Sequence, residues 1–352
     1  MSMKDQTKLF GTDGIRARVG VSLLTPQGML ALGQALGQVL CSASNSSNIV
    51  IAIGRDTRVS GHFIESALAA GLNASGVHVH ILGVLPTPAV SHYVKNSSCS
   101  AGIMITASHN PSSDNGVKLF NHNGEKIDAT FRNQLIQALA KGAQDLQLDR
   151  LATTTQCQSD ARACYVDMLS RMIKPYHGYF RGQHIVVDAA NGAASSLVKD
   201  VFTQLDSQLT TIGCTPDGHN INHGCGSTAT SLLQKTVVEK QANFGIAFDG
   251  DTLLQGPLGG AETAFVSLAE ALAKRGHDVF VHNRCKMPME RNGVTWKPLD
   301  DHLPDIADLY IANRGHKLIQ LVPKARSRVF WIHNPAQYLN KWRYWRKLLR
   351  WK

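Results

Sequence analysis

Gly102-Ile103-Met104-Ile105-Thr106-Ala107-Ser108-His109-Asn110, followed by Pro111, runs an apolar strand straight into a small polar turn. A run of this length and character reads as a buried strand, and the turn behind it lifts a serine hydroxyl out of the backbone. Serine needs help to act as a nucleophile or phosphate carrier, and the carboxyl end of a strand in an α/β sheet can supply it. In that setting the backbone N–H groups, Ser108, His109 and Asn110 are expected to face one anionic group. Taken alone, the stretch reads equally well as a polar loop capping a buried strand.

Working outward, strands and helices alternate. Thr25-Pro26 gives an N-cap with proline in the first turn, opening a helix to about Leu40. Strands are expected at 49–53, 77–82 and 101–106, with helices at 62–74 and 86–94 between them. This alternation predicts a mostly parallel sheet covered on both faces. Polar residues over 144–159 read as a linker, and a helix over 160–173 leads into a second unit. That unit is expected to hold strands at 184–188, 209–212 and 244–248, with helices near 193–204 and 228–240. The pattern restarts after Gly259-Gly260, with a helix over 261–275 and strands at 278–282, 307–312 and 328–333.

The chain has 352 residues, 43% hydrophobic and 18% charged, the balance of a globular protein with room for two or three α/β domains. No apolar run is long enough to cross a bilayer, and Met1–Gln6 lacks the core of a signal peptide, so a cytoplasmic address is expected. Seven scattered cysteines with no Cys-x-x-Cys pair read as free thiols. The net charge of +10 is not spread evenly. Residues 256–352 hold 17 Lys+Arg against 8 Asp+Glu, and all five tryptophans, whereas the first 255 are nearly neutral. The chain changes character near residue 255, as at a join between two unlike pieces.

Four segments of the first part carry chemistry. Phe10-Gly11-Thr12-Asp13-Gly14-Ile15-Arg16 ends in an arginine suited to a phosphate. Gly54-Arg55-Asp56-Thr57-Arg58-Val59-Ser60-Gly61 is a post-strand loop with two arginines and a helix N-terminus behind it, again placed for an anion. The serine turn is third, with Asp114-Asn115-Gly116-Val117-Lys118 just after it. Asp249-Gly250-Asp251 ends the 244–248 strand, where alternate carboxylates can aim at one hard cation. Each of these residues by itself reads as well as a surface pair, a turn residue or a cap. As an ordered set at strand ends they read as a site.

Together the four segments resemble the α-D-phosphohexomutase family over about residues 7–251. The loop Pro216-Asp217-Gly218-His219-Asn220-Ile221-Asn222-His223-Gly224-Cys225-Gly226-Ser227 is similar to its amino-sugar branch. The resemblance implies two α/β domains with mixed sheets: 1–150 carrying the phosphoserine loop and 158–254 carrying the metal loop. By it, Ser108 is the phosphoserine, and its phosphate with Asp249 and Asp251 holds Mg²⁺. Arg16 and Lys118 stabilise charge or move protons near the sugar hydroxyl, with His109 beside the phosphate. The implied substrate is a phosphorylated amino sugar, and the reaction interconverts glucosamine 6-phosphate and glucosamine 1-phosphate through a bisphosphate.

The chain departs from the family after Asp251. Leu253 stands where a third metal carboxylate belongs and Leu254 where an arginine belongs. Nothing in 256–352 reads like the family's third or fourth domain, so turnover is expected to be impaired. Pro257-Leu258-Gly259-Gly260-Ala261-Glu262, the Arg275-Gly276-His277-Asp278-Val279 turn and Trp331-Ile332-His333-Asn334-Pro335 instead resemble the N-terminal half of a GT-B glycosyltransferase, a partial Rossmann-like α/β segment. The other readings are a transferase-like sugar-handling protein, or an inactive fusion product that binds sugar phosphate. Residues 341–352 mix cations with aromatics, which permits weak contact with a membrane surface; nucleic acid is not expected as a partner.

Overall fold

The structure is a computed structural model that describes residues 14–43, 48–142, 151–174, 178, 180–248, 268–283, 287–298, 301–313, 322 and 324–331. The chain divides into two compact units, Met1–Thr252 and Leu253–Lys352. Among the described residues no helix is long and apolar enough to cross a membrane.

The first unit is built on a six-stranded sheet. Its strands are β1 (Ile15–Arg18), β2 (Val50–Arg55), β3 (His78–Val84), β4 (Ala101–Ile105), β5 (Asp114–Asn121) and β6 (Thr154–Gln156), in the order β1-β5-β4-β2-β3-β6. Pairs β2/β3, β2/β4 and β3/β6 are parallel, as crossover helices require. Pairs β1/β5 and β4/β5 are antiparallel, so the sheet is mixed at the edge that carries the serine turn. Every residue of β4 is buried, as is β2 apart from Arg55, because helices cover both faces.

Helix α1 (Pro26–Ala43) starts where the Thr25-Pro26 pair places it: the Thr25 hydroxyl accepts from Gly28 N at 3.1 Å. With α2 (Gly61–Ala74) and α4 (Ala129–Lys141) it lies over one apolar layer, in which Leu32, Leu36, Leu68 and Leu72 are fully enclosed. Helix α3 (Thr87–Lys95) and α5 (Gln158–Ile173) cover the opposite layer, where Tyr165 of α5 packs with Val90, Val94 and Leu197.

A smaller parallel sheet follows, β8-β7-β9, formed by β7 (His184–Asp188), β8 (Gln208–Ile212) and β9 (Phe244–Ala247). Two short helices, α6 (Val198–Phe202) and α7 (Ser231–Glu239), accompany it.

Three sequence expectations change here. The polar 144–159 stretch is not all linker, because Thr154–Gln156 adds a parallel edge strand to β3. The helix expected over 193–204 is confined to Val198–Phe202, followed by a 3-10 turn at Thr203–Leu205. Strands β1 and β5 were not expected; they form by pairing across the sheet.

In the second unit a helix runs over 268–274. Strands β10 (Val279–Asn283), β11 (Met289–Arg291) and β12 (Val294–Pro298) form one sheet, and β13 (Ile306–Asn313) with β14 (Lys324–Trp331) form a parallel pair. Ala269, Val281, Val294 and Trp296 make its small core. The glycine loop at 257–262 and the cationic aromatic stretch at 341–352 lie outside the described residues.

Candidate active site

Strand β4 delivers the serine turn to the edge of the sheet, and a buried network then fixes its shape. Asp56, 3% exposed, lies behind the turn. Its Oδ2 accepts from the Thr106 hydroxyl at 2.7 Å, and Thr106 Oγ1 in turn accepts from Ser108 N at 2.9 Å. The chain then bends so sharply that Ser108 sits at φ +53°, the left-handed region that costs a non-glycine residue roughly 1–2 kcal/mol. Such strain persists only where the surroundings over-determine it.

Arg58 does much of that work. Its side chain is fully buried, and its Nε pairs with Asp56 Oδ2 at 2.9 Å. One terminal nitrogen donates to the Pro111 carbonyl and to the Asp114 carbonyl at 3.0 Å. The other donates to the carbonyls of Ser108 at 3.1 Å and Asn110 at 2.8 Å. The expectation that both arginines of the 54–61 loop face an anion is therefore corrected. Arg58 faces the carbonyls of the serine turn from inside, and Arg55 pairs with Glu65 at 3.4 Å, where burial pushes the Glu65 carboxyl up.

The Ser108 and Asn110 amide groups are likewise engaged internally. Ser108 N goes to Thr106, Asn110 N to the Ala107 carbonyl at 3.1 Å, and Asn110 Nδ2 to Asp114 Oδ2 at 2.8 Å. These groups are therefore turned inward rather than towards the anion expected of them. What faces the serine hydroxyl is cationic side chains. Lys118, on β5 opposite Met104, donates from Nζ to Ser108 Oγ at 3.0 Å. Arg16, on β1 opposite Gly116, donates from its guanidinium at 3.4 Å. Adjacent antiparallel strands thus bring residues 92 and 10 positions away onto one oxygen. His109 follows in the same turn, partly exposed.

Ser108 and Lys118 open on a cavity of about 520 Å³. Its far wall includes Ala190, Gly192, Ile221 and Phe248 from the second half of the unit. Phe248 is pinned at the end of β9, with its N–H on the Asp188 carbonyl at 2.9 Å. It immediately precedes Asp249 and Asp251, which lie outside the described residues. Among the described residues no group of three or more His, Cys, Asp or Glu side chains is placed to hold a metal ion.

The second half also touches the turn directly. The loop 216–227 reaches over so that Asn222 Nδ2 donates to the Ser108 carbonyl at 2.9 Å and to the Asn110 carbonyl at 3.2 Å. Val59 N donates to the Gly218 carbonyl at 3.0 Å, and the Thr57 hydroxyl to the Asn191 carbonyl at 2.6 Å. Gly218, at φ +91°, a conformation that side chains rarely adopt, lies against Val59. Asp56, Thr106 and Asn222 were not singled out by sequence, and Arg58 was noted only as one of two loop arginines. The available signal was the Asp-x-Arg spacing at 56–58 and the asparagine-rich 216–227 loop.

Residues 7–146 match the family described as phosphoglucomutase/phosphomannomutase, alpha/beta/alpha domain I. A phosphoglucosamine mutase of Acinetobacter baumannii is 44% identical over 244 residues, covering 69% of this chain and 54% of that protein. One of Coxiella burnetii is 43% identical over 246 residues, covering 70% of this chain and 54% of that protein. The chain thus spans about half the length of the curated relatives it matches. A crystal structure of a phosphoglucomutase/phosphomannomutase family protein from Burkholderia thailandensis superposes with a TM-score of 0.58 at 23% identity. It covers 91% of this chain and 68% of that one, a likeness of fold. The segment that carries the serine turn, residues 7–146, belongs to the phosphohexomutase family.

Proposed function

We propose that this chain performs the phosphoserine chemistry of a phosphoglucosamine mutase, exchanging a phosphoryl group between Ser108 and a glucosamine phosphate. The observation that carries the reading is the convergence of Lys118 Nζ and the Arg16 guanidinium on Ser108 Oγ at 3.0 and 3.4 Å. A neutral hydroxyl has no need of two cations. A phosphorylated one carries about −1.5 to −2 charges and accepts charge-assisted hydrogen bonds from both. The relatives at 43–44% identity are mutases, which favours this reading over a transferase.

In the transfer, Ser108 Oγ forms a bond to phosphorus as the bond from phosphorus to the sugar oxygen breaks. The serine proton passes to the sugar oxygen, and the reverse step returns the phosphoryl group to the other hydroxyl. Fixed positive charge that meets the spreading negative charge on the transferring group is the main lever the protein has. Lys118 and Arg16 supply it from rigid strands, which hold their geometry better than loops.

The family implies Mg²⁺. Two of the three loop carboxylates remain to hold it, Leu253 standing in place of the third: a phosphorylated Ser108, with Asp249 and Asp251, offers hard oxygen ligands, and Phe248, one residue before that pair, lines the cavity onto which Ser108 opens. When bound, the ion neutralises charge on the transferring phosphoryl group.

The test is intact-protein mass spectrometry after incubation with glucosamine 1,6-bisphosphate and magnesium. The wild-type chain is expected to gain one phosphate, mapped to Ser108, and Ser108→Ala to gain none. Equal masses for the two, or a phosphate mapped elsewhere, would sink the proposal.

A further inference from the structure

We infer that Asn222 is a positioning residue for Ser108, through which the second half of the unit governs how the serine hydroxyl is presented. The inference rests on the phosphoserine reading above.

The geometry is specific. The carbonyls of Ser108 and Asn110 lie side by side, and each accepts from two donors: the buried guanidinium of Arg58 on one side and Asn222 Nδ2 on the other. Arg58 belongs to the same half as the serine, whereas Asn222 lies 114 residues from Ser108 and arrives on the 216–227 loop. The clamp is complete only when that loop is docked. Its orientation is also dictated. A flipped amide would point Oδ1 at two carbonyl oxygens, so only the NH₂ can face them. Asn222 Oδ1 itself is buried with no hydrogen-bond partner, so the donors are what the side chain contributes.

Asn222 is held in the left-handed region at φ +58°, with its own N–H on the Ala190 carbonyl at 2.8 Å. Asparagine tolerates this conformation better than most residues. Opposite it stands Ser108 at φ +53°, a conformation that is maintained only by outside contacts. Fixing the two carbonyls fixes the Ser108–His109 and Asn110–Pro111 peptide planes, and with them the direction of the Ser108 Oγ relative to Lys118 and Arg16. Because Arg58 still binds both carbonyls if Asn222 is removed, the turn survives but is free to rock.

Asn222→Ala and Asn222→Asp separate this role from a merely structural one; the second keeps the shape and replaces the donating NH₂ with an oxygen. Four quantities are read on the full chain. These are melting temperature, amide hydrogen exchange across 106–114, and the saturating rate and half-saturation concentration for phosphate uptake by Ser108 from glucosamine 1,6-bisphosphate. Both variants are expected to melt within a few degrees of wild type and to exchange faster over 106–114. Their saturating rates should fall by about 10- to 100-fold, the penalty of a slightly misplaced reacting group, with little change in half-saturation. Unchanged exchange over 106–114, or uptake at the wild-type rate, overturns the inference while leaving the phosphoserine reading intact. If wild type itself takes up no phosphate, that reading fails, and the role of Asn222 in transfer fails with it even where exchange responds.

Discussion

The ammonium of Lys118 and the hydroxyl of Ser108, ten residues apart in the chain, are joined at 3.0 Å because β4 and β5 run antiparallel with Met104 opposite Lys118. The turn between those strands carries the candidate site, and the strand pairing that closes it aims the lysine. In Lys118→Met this charge is lost and the strand is kept, since residue 118 is only partly buried. The rate of Ser108 phosphate uptake is expected to drop by about 10²- to 10³-fold, as for removal of one donor at a developing anion. Single-turnover mass spectrometry checks it. A rate within a factor of about two of wild type would exclude Lys118 from the chemistry.

Arg58→Met removes the internal fork while leaving Asp56 buried beside Thr106. Breaking one side of a buried ion pair costs about 3–5 kcal/mol. For a domain of this size that lowers the melting temperature by on the order of 10 °C. Arg58→Lys is expected to rescue little, because an ammonium cannot present planar, forked donors to several carbonyls. Circular dichroism melts decide the matter, and a lysine variant as stable as wild type would count against the fork.

Gly116→Ala tests the closeness of the strands. A methyl group there would meet the carbonyl oxygens of both Ile15 and Thr106 inside van der Waals contact. Both are backbone atoms and cannot step aside as a side-chain tip would. Overpacking of this kind costs about 1–3 kcal/mol. It also pries apart β1 and β5, so Arg16 should retreat from Ser108. Denaturant unfolding together with phosphate uptake should show both losses; a variant that is stable and active would show the strands have more room than the structure gives them.

Histidines set a pH dependence for the first unit. The charge of Arg55, then slight burial, lowers His62 from 6.5. Burial, then neighbouring His78, lowers His80, and burial, then Lys95, lowers His92. In each case the folded state holds fewer protons than the unfolded chain near 6.5, so stability is present above that value and is lost as pH falls through it. Glu65, raised from 4.5 mainly by burial, acts in the opposite sense over a more acidic window. Melting curves of wild type and a triple His→Gln variant at positions 62, 80 and 92 are expected to diverge in slope below 6.5, the variant being flatter. Parallel curves would refute the assignment.

Much of the serine-bearing sheet was legible because its signals are local. The all-apolar 101–105 run, the Thr25-Pro26 cap and the helix–strand alternation each specify structure within a few residues. Ser108, Arg16 and Lys118 were likewise legible as members of motifs. The remainder depends on distant partners. Asp114-Asn115-Gly116 reads as a turn by composition, and it becomes a strand only because β1 and β4 flank it. Thr154–Gln156, polar and exposed, carries no periodic signal and is extended solely by hydrogen bonding to β3. Arg58 looked like an anion binder because arginine is rarely enclosed; what enclosed it was a set of carbonyls 50 to 56 residues away. Nothing in a single sequence announces that Asn222 reaches them.

The edge strand β6 has a practical consequence. The family match ends at residue 146, yet the outer rim of β3 is covered by backbone bonds from Val79 N to the Thr153 carbonyl and from Cys157 N to the Ile81 carbonyl. A fragment ended at 146 would leave that rim as an open row of N–H and C=O groups, a template on which other molecules can polymerise. An excised serine-turn domain should keep its chain through Cys157, where the self-made border that keeps such molecules apart is complete.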